Sequence, residues 1–436
     1  MPSQSQWNGF LEKETFDSLF SELYSRDSSV INKQKTRYQK AIDTYVKLFA
    51  DEDVSVFNTP GRTEIGGNHT DHNAGRVLAG SINLDAVAVA GKLDRPEIIL
   101  HSDGFDQPFR VSLDDLSVQE NEKGTTFALI RGIVAGFRKR GLHTGGFSAY
   151  VTSDVLQGSG LSSSAAIEVL IGTILNAFYN EHEISPESLA MIGQWAENQY
   201  FGKPCGLMDQ VACAVGGIVQ IDFADSQAPM IQPVQFDFAA QNYRLLVVDT
   251  GGSHADLTDD YAAVPMEMKL VAAALGYRVC RELTLEMVMQ RMGALRERVG
   301  DRSLLRAYHF LKENERVLKQ VQALENNDFY RFLQLIQESG DSSAKWLQNS
   351  FTCKAPQEQG VSLAQALTEQ FVQTLGEGAF RIHGGGFAGT IQVFIPQTAV
   401  ADYRSLISPV FGPDAVKVLN IRQYGTLDLL HVNQSM

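Results

Sequence analysis

Between residues 147 and 178 the chain changes texture twice, and that passage constrains its fold more than any other. Phe147, Ala149 and Val151 alternate with Ser148, Tyr150 and Thr152, the period of two expected of a half-buried strand. Ala165–Phe178 is apolar on most faces, which predicts a buried helix. Between them runs Gly158-Ser159-Gly160-Leu161-Ser162-Ser163-Ser164-Ala165-Ala166. Its glycines permit positive φ and close backbone approach. Its serines supply hydroxyls and cap-sized side chains, and the helix start presents unpaired N–H groups with partial positive charge. The loop reads either as a phosphate cradle or as a flexible Ser/Gly turn with a serine cap. It is neither a Walker loop, lacking Gly-Lys-Ser/Thr, nor a dinucleotide fingerprint, lacking the third glycine.

A chain of 436 residues is too long for one compact core and predicts two domains. Residues 1–50 read as a helical extension. Within it 1–25 is a loosely attached lead-in, and Tyr38, Ile42, Tyr45, Val46 and Phe49 mark an amphipathic helix over 30–50. A first domain is expected over 51–238, with short β-like runs at Val54–Phe57, Ala86–Ala90 and Ile98–His101, and a second over 239–436. In the second, Tyr243–Asp249 reads as a buried strand. Helical patterns follow near 262–275, 283–299, 303–325, 328–348 and 361–375, and 380–396 reads as a strand, a glycine turn and a second strand or helix. Strands and helices mix without strict βαβ alternation, which predicts an α+β fold.

Three polar clusters stand out. Residues 60–75 place Arg62, Asn68, His69, Asp71, His72 and Asn73 among glycines, a set of donors and acceptors suited to the hydroxyls of a polyol. A metal site on His69, Asp71 and His72 is a rival reading, but neighbours on a strand point opposite ways. A polar surface loop is another. In the run from Glu197 to Gln210, Asp209 precedes an apolar stretch and reads as a helix cap or as a catalytic base. Glu197, on a predicted helix, is by default a solvated charge. The third cluster, Gly384–Gly389, reads as a structural turn.

Lys plus Arg number 37 against 51 Asp plus Glu, a formal charge of −14. Such a surface is repelled by nucleic acid and anionic membranes, so any phosphate compound must be held by local devices. The four cysteines show no CxxC spacing, and no apolar run is long enough for a membrane helix. The polar start of the chain predicts no signal peptide and a cytoplasmic protein.

Together these pieces resemble the GHMP family of small-molecule kinases, its galactokinases in particular. Arg62 to Asn73 resembles the galactokinase signature, Gly158–Ala166 the family's nucleotide loop, Pro204–Gln210 the run with the active-site aspartate, and Arg381–Gly389 the glycine-rich third motif. The resemblance implies a two-domain architecture with the site in the cleft between domains, and ATP-dependent phosphorylation of the anomeric hydroxyl of galactose. It implies catalytic roles for Arg62 and Asp209, and sugar contacts from Asn68, His69, Asp71, Gly206 and Tyr261. By the same resemblance Gly158, Ser159, Gly160, Leu161, Ser162, Ser163 and Ser164 hold ATP, and Ser164 and Glu197 hold Mg²⁺. The expected partners are a sugar and ATP, for a monomer or weak dimer. Departures exist: Asn68 replaces the signature glutamate, His72 its tyrosine, Leu156 a proline, and His383 and Ala388 a threonine and a glycine. An amide in place of a carboxylate predicts wider tolerance at C6, with galacturonate as an alternative substrate. A sugar and nucleotide sensor without turnover is a further alternative.

Overall fold

The computed structural model describes residues 1–50, 53–155, 160–203, 205–225, 228–252 and 257–435. Its strands form two sheets. The larger is built from β1 (Ser55–Gly66), β2 (Arg76–Leu93), β3 (Glu97–Ser102), β4 (Phe109–Ser112), β5 (Gly146–Ser153), β6 (Ile218–Asp222), β7 (Met230–Val234) and β12 (Leu427–Asp428). Its order is β12-β1-β2-β5-β3-β4, with β6 also pairing β2 and β7 pairing β6. Every pair is antiparallel except β3 with β5. The smaller sheet has the order β11-β8-β10-β9, from β8 (Tyr243–Asp249), β9 (Ala379–His383), β10 (Thr390–Pro396) and β11 (Val416–Leu419), all antiparallel. Such a mixed arrangement is the α+β class expected from the sequence.

Alternation along β2 explains the first sheet's two cores. Ala86, Ala88 and Ala90 pack with α4 (Thr126–Lys139), α5 (Ser163–Tyr179) and α6 (Pro186–Ala196). Val87 and Val89 face the opposite side and meet α1 (Gln4–Leu11), α2 (Glu14–Leu23) and α3 (Ser28–Phe49). Residues 1–25 are therefore not a loose lead-in. Trp7, Phe16 and Phe20 are fully buried, and Trp7 Nε1 donates to the Val54 carbonyl at 2.9 Å. The scattered aromatics supply the apolar cover that this sheet face lacks.

The two sheets share a core. Leu245, Val247 and Phe394 of the smaller sheet pack with α7 (Met208–Val215), α11 (Asp301–Glu325) and α12 (Phe329–Ser342), against Val219 and Ile221 of the larger. The smaller sheet's other face is covered by α13 (Gly360–Leu375) and α14 (Val400–Phe411). Helices α8 (Thr258–Ala274), α9 (Leu285–Gln290) and α10 (Met292–Val299) pack on α11, and α15 (Leu429–Ser435) follows β12 back at the first sheet.

Candidate active site

Arg62 is placed by irregularity in β1. The pairing of β1 with β2 shifts register between Pro60 and Arg62, and again between Glu64 and Gly66, the kind of bulge that re-aims a side chain. Gly61 makes room: a Cβ there would lie 2.7 Å from the Leu161 carbonyl oxygen. The loop before α5 therefore lies directly on the strand, and Arg62 N donates to Leu161 O at 3.1 Å. The guanidinium reaches across to α7, with Nε and Nη2 each 2.8 Å from Asp209 Oδ1, while Nη1 donates to the Gly160 carbonyl.

Asp209 occupies the first turn of α7, where the helix dipole favours a negative charge. It does not cap that helix, whose N-cap is Leu207 without a side-chain bond. Its second oxygen accepts from Ser162 Oγ. Burial pushes this carboxyl up, but Arg62, the Ser162 hydroxyl and Lys203 outweigh it and hold Asp209 below the usual aspartate range. Of the two sequence readings of Asp209, the structure sets aside the cap.

Gly158 and Ser159 lie outside the described residues. The remainder of the loop wraps the start of α5. Ser162 sits in the left-handed region at φ 64° as the N-cap, without a side-chain capping bond. The first amides of α5, from Ser163 onward, thus carry no capping side chain and suit an anion. Ser164 Oγ donates to Glu197 Oε1 at 3.4 Å.

Glu197 is buried, against its default reading as a surface charge. A single π-helical turn, Glu197–Phe201, swings it inward at the end of α6. Lys203 Nζ donates to its Oε1 at 3.3 Å, and Gln210 Nε2 to its Oε2 at 3.0 Å. The same Gln210 nitrogen donates to Glu168 Oε2 at 2.9 Å. Burial, then the neighbouring Glu197 carboxylate, push Glu168 well up, and its Oε1 has no hydrogen-bond partner. A serine hydroxyl, a buried carboxylate and this orphaned oxygen are hard oxygen donors that suit Mg²⁺. Among the described residues no group of three His, Cys, Asp or Glu is placed to hold a metal. Ser164 and Glu197 would thus be a partial shell completed by phosphate oxygens and water, as Mg²⁺ commonly accepts.

The sugar signature forms the other wall. His69, at φ 58°, donates from Nε2 to the Gly385 carbonyl at 2.8 Å, and burial pulls its pKa down to about 4. Asp71–Asn73 is one 3-10 turn rather than a strand, and His72 Nε2 lies 3.8 Å from Asp71 Oδ1. Asp71 abuts the turn before Asp209 so closely that a Cβ on Gly206 would sit 1.7 Å from its Oδ2. Tyr261 donates to the Gly386 carbonyl at 3.0 Å. Asn68 is wholly buried. Its Nδ2 donates to Glu64 at 3.0 Å and to Gly384 O at 2.7 Å, and its Oδ1 accepts from Ser343 at 3.1 Å and Asn349 at 2.9 Å. An amide saturated in this way shapes the wall from behind, so wider C6 tolerance at Asn68 is not supported.

His383 was singled out only as a departure from a motif. It accepts at Nε2 from Thr63 Oγ1 at 3.1 Å and Glu64 N at 3.3 Å, and donates from Nδ1 to Thr390 at 3.0 Å. Burial and the charges of Arg62 and Arg381 hold it neutral. Lys203, Glu168 and Gln210 were not anticipated as site residues. The one available signal was Glu168, a lone acid in the apolar run 165–178.

Comparison with known proteins points the same way. Residues 128–217 match the family described as GHMP kinases N terminal domain, and residues 43–92 the galactokinase galactose-binding signature. A galactokinase of Streptomyces coelicolor is 30% identical over 86% of this chain and 93% of its own. One of Actinobacillus pleuropneumoniae is 30% identical over 80% and 87%. Among solved structures, Lactococcus lactis galactokinase complexed with galactose superposes with a TM-score of 0.75 at 22% identity, over 89% of this chain and 98% of that one. Methanococcus jannaschii mevalonate kinase reaches 0.59 at 15% identity, over 85% and 98%.

Proposed function

The chain belongs to the galactokinase family of GHMP kinases, and on that footing we propose that it transfers the γ-phosphoryl group of ATP to the anomeric hydroxyl of galactose, forming galactose 1-phosphate. One observation carries the reading of the site. Arg62 of the sugar signature, Asp209 of α7 and Ser162 of the Gly/Ser loop meet at a single carboxylate.

Phosphoryl transfer needs in-line positioning and charge neutralisation more than covalent chemistry. Asp209, held ionised, accepts the proton of the sugar's anomeric hydroxyl. Arg62 then neutralises the reacting oxygen and the incoming phosphoryl group. Residues 158–164 cradle the phosphates with the amides at the start of α5. His69, Asp71, Gly206 and Tyr261 form the sugar wall, with Asn68 bracing it. Mg²⁺, when bound through Ser164 and Glu197, supplies charge neutralisation on the phosphate oxygens.

Residues 51–238 are proposed to carry the sugar and nucleotide motifs and 239–436 to close the cleft. A cytoplasmic monomer or weak dimer is consistent with four free cysteines and with no described helix long and apolar enough to cross a membrane. The reading is tested by ADP release over a panel of hexoses and uronic acids. Galactose is expected to give the highest kcat/KM, and galacturonate no appreciable turnover. Galactose-independent ADP release, or none with any sugar, would overturn it.

A further inference from the structure

A cavity of about 670 Å³ lies beside α11, away from the residues assigned above, within the usual range for small-molecule sites. Three arginines line it, Arg76, Arg281 and Arg316, with side chains only 17, 18 and 11% exposed. Lys312 and Lys319 stand exposed at its edge. Arg76 Nε and Arg281 Nη2 are each 2.8 Å from the same oxygen, Asp222 Oδ2, so two positive charges share one buried negative charge. Arg316 pairs with buried Glu313, and its Nε has no hydrogen-bond partner.

Two more carboxylates, Glu315 and Glu338, also line the cavity, each 3.6 Å from an arginine nitrogen, but they are 62 and 48% exposed. Glu338 is further engaged by Arg331 at 3.1 Å. Water screens such exposed pairs, whereas the shielded guanidiniums keep their field. The result is a cationic hollow in a chain of net charge −14. Beside the neutral polar Thr284, Asn314 and Ser342, one part of the lining is apolar and aromatic, including Leu283, Phe310 and Trp346, whose ring stands edge-on to Tyr308 at 5.8 Å.

We propose that this cavity is a second binding site, for a phosphate monoester whose organic body rests against Trp346 and Tyr308. Guanidinium forks match a phosphate dianion bidentately, and lysines at the edge add charge without geometry. The aromatic wall favours a body over a bare ion. A nucleoside monophosphate and a sugar phosphate share this chemistry.

The site is wired to the sugar wall through α11. Asn314 Oδ1 accepts from Arg281 Nη1 at 3.0 Å and from Arg76 N at 2.9 Å. Ser342, at the cavity, donates to His309 Nδ1 at 2.9 Å, and His309 Nε2 donates to the Asn68 carbonyl at 3.0 Å. Glu313, the partner of Arg316, accepts from Gly67 N at 3.1 Å. An anion that draws Arg281 or Arg316 toward itself therefore pulls on the posts of the sugar loop.

Titration calorimetry on the full chain tests the proposal with AMP, galactose 1-phosphate and inorganic phosphate at matched ionic strength. At least one monoester is expected to bind more tightly than inorganic phosphate. Lys312→Glu/Lys319→Glu should weaken that binding by about tenfold or more, while kcat and KM without added monoester stay unchanged. Trp346→Ala should weaken the monoester but not inorganic phosphate. Preference for AMP or for galactose 1-phosphate identifies the source. No monoester binding, inorganic phosphate binding as tightly as the monoesters, or monoester binding that neither variant weakens would overturn the proposal. The last outcome would place the ligand in the catalytic cleft. None of these outcomes depends on which sugar is phosphorylated.

Discussion

Arg62 meets Asp209 on one oxygen only. Nε and Nη2 both address Oδ1 at 2.8 Å, while Oδ2 takes the Ser162 hydroxyl. One carboxylate oxygen is thus fixed by charge, and the other by a neutral group that a sugar hydroxyl can replace. The arrangement holds the carboxylate ionised and leaves one of its oxygens to a neutral partner, as the proposed role of a base requires.

Asp209→Asn removes the proposed proton acceptor but keeps the shape. A positioned base contributes on the order of 10²–10⁴-fold, so kcat for galactose should fall by roughly that factor with KM little changed. Steady-state kinetics alongside a melting curve checks this. A large rise in KM with intact kcat would assign Asp209 to binding instead.

Gly206→Ala would drive a Cβ to 1.7 Å from Asp71 Oδ2. Because Asp71 is itself pinned by the 3-10 turn, the collision must displace the sugar wall. Misplacement on the scale of an ångström can cost about 10²-fold. The expected outcome is kcat/KM for galactose lowered by tenfold or more, with ATP binding preserved.

Acid should destabilise the fold through its buried histidines. His69 is held at about 4, and His309 and His383 are also lowered, in each case first by burial. Their folded pKa lies below the ordinary 6.5, so between the two values the unfolded chain binds more protons. Stability is therefore complete above pH 6.5 and lost as pH falls toward 4, by up to about 1.4 kcal/mol per pH unit per histidine. Burial pushes Glu313 up, but Arg316 above all outweighs it and holds the carboxyl at about 2, a shift in the same direction as the histidines', so its contribution is lost only below 4.5. Asp209, also lowered, loses its contribution only in that acidic range. Urea midpoints at pH 7, 5.5 and 4.5 should fall in that order, and His383→Gln should flatten the trend. A midpoint independent of pH across this window would contradict it.

Glu197→Gln should raise the Mg²⁺ concentration for half-maximal rate by roughly tenfold or more. The amide keeps the volume but removes the charge beside Ser164. A Mg²⁺ titration of initial rates measures it, and an unchanged half-saturation point would remove Glu197 from the metal shell.

Trp7→Ala tests the extension. The indole is wholly buried among Phe10, Phe16 and the sheet face, so a loss of about 3–5 kcal/mol is expected. Chemical denaturation gives the value, and a loss below 1 kcal/mol would return the segment to a loose lead-in.

Strong local patterns were legible in the sequence. The apolar run Tyr243–Asp249 is β8 to the residue, and the helical patterns near 303–325, 328–348 and 361–375 reappear as α11, α12 and α13, the second of them ending at Ser342. β1 and β2 are far longer than the runs that signalled them, because Asn58, Thr59, Gly61 and Asp85 interrupt the apolar pattern. Asn58 and Asp85 are buried polar residues joined at 2.5 Å, and Arg422 reaches Asp85 from the far end of the chain. A contact between partners 337 residues apart leaves no local trace. The contact of Arg62 with Asp209 joins segments 147 residues apart, and no local spacing announces it. Glu197 was misread from the residues alone because its burial depends on a π turn that no side-chain pattern announces.

The most direct test is a crystal structure of the chain with galactose and a non-hydrolysable ATP analogue. The anomeric oxygen is predicted within about 2.6–3.2 Å of Asp209 Oδ2, in place of the Ser162 hydroxyl, with Arg62 turned toward the terminal phosphate. A sugar bound elsewhere, with Ser162 still on Asp209 and Arg62 clear of the phosphates, would contradict the account.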